Sequence, residues 1–199
     1  MKRILLPAIA FALLTFTTTS CNDENGGASN MFNVDPPKIV NSIAPTTAGN
    51  YNKWLLGNIG QYGYLETQST NDFTAWQFYI ICSGGTLEQV NNSRFNWAGD
   101  VDGESLTIKS TVDDSWNEWK FESLTYNISY YIRMTRTDDF NEWGIYNNSN
   151  QHLFSIKTLE SAKWNKWEII GEVPESHSMN LVGLFFIPVL YATTQPVIN

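Results

Sequence analysis

Four short segments bring together a carboxylate, a flat ring or an amide. They are Asp72-Phe73, Asp113-Asp114 with Trp116-Asn117, Asp139-Phe140-Asn141, and Trp164-Asn165. The combination suits sugar chemistry. A ring stacks on the C–H face of a pyranose, while a carboxylate and an amide pair with its hydroxyls. The same residues serve a turn equally well, with the acid making the turn and the ring capping the end of a barrel. Both readings stay open from sequence alone.

A repeat sets the elements that must position these residues. Every tryptophan falls in the pattern aromatic, Asn or Thr, any residue, Trp. The copies are Tyr51-Asn52-Lys53-Trp54, Phe73-Thr74-Ala75-Trp76, a shortened Phe95-Asn96-Trp97, Trp116-Asn117-Glu118-Trp119, Phe140-Asn141-Glu142-Trp143 and Trp164-Asn165-Lys166-Trp167. The final Trp recurs after 22, 21, 22, 24 and 24 residues. The residues after each final Trp alternate between strand-like and sooner-turning sequence. That alternation groups the copies into three larger units of about 45 residues.

Within each unit the period is that of strands. Leu106-Thr107-Ile108-Lys109-Ser110 alternates apolar and polar, Val112-Asp113-Asp114-Ser115 is a turn cluster, and Trp116 to Phe121 returns. Residues 64–80 and 153–170 repeat the scheme, and Tyr126 to Thr135 reads as a further strand. Residues three apart on a regular strand face opposite sides. The fourth-position Trp is therefore expected in the core with Phe78, Phe121 or Ile169, and the first-position ring on the other face. The apolar run Met179 to Leu190, interrupted by Pro188, is expected to close the sheet as a last core strand. Three units of four strands resemble the β-trefoil, which implies an all-β closed barrel of about 12 strands in three repeats. A β-prism or an up-and-down barrel also fits the hairpins.

Composition narrows the function. The chain has 199 residues, of which 16% are charged and 14% aromatic, and its net charge is −8. That acidity opposes nucleic-acid binding. Met1-Lys2-Arg3 followed by the 13 uncharged residues Ile4 to Phe16 reads as an export signal, too short to span a bilayer. Thr18-Thr19-Ser20-Cys21 resembles the lipobox of bacterial lipoproteins, which implies a lipidated Cys21 as the mature N-terminus. Residues 1–20 are then a signal peptide, 21–50 a polar, proline-interrupted tether, and 51–199 the β domain. Acidic residues just after Cys21 resemble the surface-export signal of Bacteroidota lipoproteins. Loss of Lys2 and Arg3 with the leader lowers the net charge from −8 to −10. Such an acidic body repels anionic headgroups, so lipid would hold it at the membrane. Cys82 is expected as a buried small hydrophobe.

Signals for catalysis are sparse. No nucleophile elbow, phosphate loop or metal-binding histidine pair occurs, and His152 and His177 stand alone. Asp100-Val101-Asp102-Gly103-Glu104 has half the ligands of a calcium loop and reads as a hairpin turn. Every acid cluster falls in an expected turn, so no carboxylate pair for glycoside hydrolysis stands out. The expectation is a non-catalytic, lipid-anchored binding protein of the outer membrane, without cofactor or metal. Its ligand would be a glycan, or alternatively a protein.

Overall fold

A computed structural model describes residues 42–57, 63–80, 83–123, 127–171 and 178–195, with the side chains of the final helix described from Val182 onward. The signal segment, Cys21, the tether up to residue 41, Cys82 and His177 lie outside the described residues. Twelve strands run in chain order: β1 (Ser42–Thr47), β2 (Asn50–Leu56), β3 (Gly63–Ser69), β4 (Asp72–Ile80), β5 (Ser83–Val90), β6 (Ser93–Val101), β7 (Glu104–Ser110), β8 (Glu118–Ser123), β9 (Ile128–Met134), β10 (Glu142–Asn147), β11 (His152–Glu160) and β12 (Lys163–Ile170). One helix, α1 (Ser178–Thr193), ends the described chain.

Each strand pairs antiparallel with its neighbours in sequence, and β1 pairs with β12 through Ser42↔Glu168 and Ile43↔Trp167. The result is a closed up-and-down barrel, which leaves no free edge strand. This corrects the trefoil expectation, because no strand leaves the meander to form a separate cap. It also replaces three larger units by six equivalent hairpins, β1–β2 through β11–β12, numbered 1 to 6. The strand count is as expected, but the frame is displaced by one. Residues 42–50, read as tether, form β1 and its turn, and the run read as a closing strand is α1.

The helix fills the barrel. Every residue from Val182 to Ala192 is buried. A helix apolar all round is buried in a core or in lipid, and here it lies in a core lined by six indoles. Trp54, Trp76, Trp97, Trp119, Trp143 and Trp167 are each 0% exposed. Removing one such ring from water contributes about 4–6 kcal/mol at roughly 25 cal/mol per Å². Phe186 of α1 meets Trp97 edge-on at 4.9 Å and Trp76 at 6.0 Å. A Cβ on Gly183 would lie 2.9 Å from Phe121 and 3.0 Å from Ile132, so glycine lets α1 approach β8 and β9 closely.

Charged and amide side chains line much of the outer face. Lys53, Glu66 and Gln77 neighbour one another across β2, β3 and β4, as do Lys109 and Lys120 across β7 and β8. Apolar inside and charged outside is the reverse of a barrel that spans lipid.

Candidate functional site

The recurring motif is a bulge. In hairpin 2, Trp76 pairs with Thr67 and Asp72 with Ser69, so four steps on β4 face two on β3. Hairpins 1 and 6 show the same excess, through Pro45↔Trp54 with Thr47↔Asn50 and Thr158↔Trp167 with Glu160↔Lys163. Hairpin 3 carries a bulge there too, and hairpins 4 and 5 have longer turns in its place. A bulge resets which side a residue faces. The first-position rings therefore do not point away from the fourth-position indoles, as a regular strand requires. They lie beside them: Tyr51–Trp54 at 5.5 Å, Phe73–Trp76 at 6.0 Å, Trp116–Trp119 at 5.5 Å and Phe140–Trp143 at 6.4 Å.

Each position of the motif has a local task. Five residues before Trp the backbone is left-handed in all six hairpins, at Gly49, Asn71, Asn92, Asp114, Asp138 and Ala162. Gly, Asn and Asp tolerate that conformation best. One residue later, a side-chain oxygen accepts the N–H two residues on, from Asn50, Asp72, Ser93, Ser115 and Asp139. Three residues before Trp, a carbonyl accepts the indole Nε1–H. Tyr51, Phe73, Arg94, Trp116 and Trp164 do so at 2.7–3.2 Å. Trp143 breaks the rule: its buried Nε1–H has no partner among the described residues, and neither has that of Trp164.

The expected ligand residues find their places in this scheme. Asp72 accepts hydrogen bonds from Thr74 Oγ1 and N, in that order of weight, which hold its carboxyl below the ordinary range. Asp139 is held low likewise by Asn141 Nδ2 and N. Asp113 and Asp114 are exposed at the hairpin 4 turn beside Val112. The Asn141 amide oxygen accepts from Ala162 N at 2.7 Å and Thr158 Oγ1 at 3.3 Å, bracing the next hairpin's turn. Asn52 does the same for Asn71 and Thr67. Asn117 is exposed, and Asn165 lines a shallow notch of about 350 Å³ with Ala44, Pro45, Ala48, Leu159, Glu160 and Lys166.

Three of the four rings converge. Phe140 stacks on Tyr191 at 4.2 Å and 4°, and Trp116 and Trp164 each meet it edge-on at 5.3 Å. Desolvation raises the Tyr191 hydroxyl above its ordinary pKa. Phe73 stands apart, against Trp76. The rings thus cap the barrel end around the last turn of α1, and each remains half-buried rather than open.

An aromatic surface that the repeat scan missed lies on the outer wall. Tyr79 and Tyr64 are cross-strand partners with centroids 6.5 Å apart and planes 29° apart. Tyr79 is 44% exposed. Lys53 Nζ sits 4.8 Å over the Tyr64 ring and pairs with Glu66 at 2.9 Å. Gln77 adjoins Glu66, and Gly84 opposite Tyr79 leaves bare backbone beside the ring. The available sequence signal was the parity of Tyr79, three residues after Trp76 and so facing out.

On β11, at the seam with hairpin 5, His152 Nε2 lies 2.8 Å from Ser155 Oγ. Ser155 is 2% exposed, so this pair has no open nucleophile. Asp102 and Gly103, both left-handed, make the β6–β7 turn, and Asp102 Oδ1 accepts Gly84 N at 2.9 Å. Comparison with family models, curated proteins and solved structures returns no match.

Proposed function

We propose that this chain is a non-catalytic, lipid-anchored glycan-binding protein, exported and held at the bacterial outer membrane through lipid on Cys21. The glycan lies on the outer wall of hairpin 2. The observation that carries this reading is the exposed Tyr79 beside Tyr64, on an outer wall that also carries Lys53, Glu66 and Gln77. The Tyr79 ring offers a flat apolar face for the C–H side of a sugar. Lys53, Glu66 and Gln77 supply donors and an acceptor for the hydroxyls. The anchor is supported by the basic start, the short apolar core and the Thr-Thr-Ser-Cys ending.

A glycan array with Tyr79→Ala and Tyr64→Ala tests the wall, and Trp116→Ala with Trp164→Ala tests the turn end. Loss of signal in the first pair, with the second pair still binding, supports the placement. The reverse pattern moves the ligand to the turns, and an array blank for the wild type rejects the glycan. Incorporation of labelled palmitate that survives Cys21→Ala rejects the anchor. The alternative, a protein-binding module, is favoured by the notch between hairpins 1 and 6, where exposed Leu159 is flanked by Glu160 and Lys166. Capture of a protein partner that sugars do not displace supports that alternative.

A further inference from the structure

From hairpin 2 onward, the residue three places after the repeat tryptophan lies on the outer side of its strand, opposite a cross-strand partner in the same hairpin. From hairpin 2 to hairpin 6 these pairs are Tyr79 with Tyr64, Asp100 with Thr86, Glu122 with Thr107, Tyr146 with Tyr131, and Ile170 with Ser155. Two of these hairpins carry tyrosine at both places. They are hairpins 2 and 5, three steps apart in either direction around a closed ring of six. Equivalent positions half a turn apart lie on opposite walls.

The second pair repeats the chemistry of the first. A cation lies over the rings: Arg133 Cζ is 4.4 Å from the Tyr146 centroid and 5.6 Å from that of Tyr131. A carboxylate holds the cation, Glu118 Oε2 lying 3.2 Å from Arg133 Nε, as Glu66 holds Lys53. Glycine again adjoins the cluster: Gly144 pairs with Arg133, and the rings of Tyr146 and His152 cover it. Arg133 Nη1 donates to Asn150 Oδ1 at 2.8 Å, so its planar fork is held in place. A guanidinium fixed beside two rings offers its remaining N–H donors next to aromatic surface, which suits a hydroxylated ring.

We infer that the Tyr131–Arg133–Tyr146 surface is a second glycan site, so that one molecule holds two sugar chains on opposite walls. This rests on the glycan reading of hairpin 2 and adds the valence. Two sites facing opposite ways let one molecule bridge two chains.

The test is titration calorimetry of the wild-type chain with cellohexaose, xylohexaose, mannohexaose and chitohexaose, then of variants with whichever binds. The expected stoichiometry is two per chain. It falls to one in Tyr79→Ala, to one in Tyr146→Ala, and to none in the double variant. Tyr131→Ala gives a second route to the hairpin 5 site, and thermal melts establish that each variant is folded. A wild-type stoichiometry of one, lost in Tyr79→Ala and kept in folded Tyr146→Ala and Tyr131→Ala, overturns the second site and leaves the first. No heat with any of the four overturns both.

Discussion

Hairpins 2 and 5 are alike inside, and outside they carry the same tyrosine pair in different surroundings. Inside, each offers a fully buried indole, Trp76 or Trp143, with a phenylalanine beside it, and each has an aspartate four residues before the indole. Outside, hairpin 2 leaves Tyr79 open, while hairpin 5 interleaves Arg133 with its tyrosines and packs His152 on Tyr146 at 5.1 Å. The inner positions answer to the helix and to one another, so their types repeat. The outer positions answer to water and to whatever the protein meets there, so they vary. In this barrel, repetition marks the fold, and departure from it marks where binding is sought.

The largest effect should show the sameness. Trp76→Ala and Trp143→Ala should each cost about 3–5 kcal/mol in denaturant unfolding, because both empty an indole-sized space against a filled core. If one of the two costs less than about 1 kcal/mol, the equivalence of the hairpins fails.

A smaller effect separates them. Trp76 Nε1–H donates to Phe73 O at 3.2 Å, whereas Trp143 Nε1–H is buried without a partner among the described residues. Phenylalanine removes a satisfied donor from the first site and an unsatisfied one from the second. Trp76→Phe should therefore destabilise by about 1–3 kcal/mol more than Trp143→Phe. Equal losses would mean that Trp143 finds a partner in solution.

The smallest effect concerns pH. Asp72 and Asp139 hold the same place in the two hairpins, and each has its carboxyl held low by hydrogen bonds from the residue two further on. A folded pKa below the unfolded value stabilises fully above the ordinary carboxylate range, near about 3.9. That stability is lost as pH falls through the folded value. Melting temperature should therefore drop on the acid side of about pH 4. Asp72→Asn and Asp139→Asn should flatten that limb slightly and equally. A change confined to the region above about pH 6 would contradict the assignment.

Much of the barrel was legible in the sequence. Alternation at Leu106 to Ser110 and the turn cluster after it gave β7 and its turn, and parity after Trp placed Phe78 and Phe121 inside. Three things were hidden. The Met179 to Leu190 run has no polar side, so its periodicity cannot tell a buried helix from a buried strand; only its partners in three dimensions decide. Bulges in hairpins 2 and 6 and longer turns in hairpins 4 and 5 change the side of Phe73, Trp164, Trp116 and Phe140, and a residue count assumes a regular strand. Pro45 and its neighbours resemble a linker in composition, yet the barrel needs β1 to meet β12 and close. The tyrosine pairs were hidden by distance, since Tyr64 and Tyr79 meet only once β3 and β4 are in register.

On the proposed reading the inward rings build the barrel and the outward tyrosines bind; Tyr79→Ala separates the two roles most directly, read by melting temperature and by sugar binding on the same preparation. The expected stability change is within about 1 kcal/mol, as for an ordinary surface substitution. The expected loss of affinity at the hairpin 2 site is at least about tenfold, the roughly 1.4 kcal/mol of one good stacking contact. A variant that melts as the wild type does and binds every sugar with undiminished affinity and stoichiometry would contradict this division of labour.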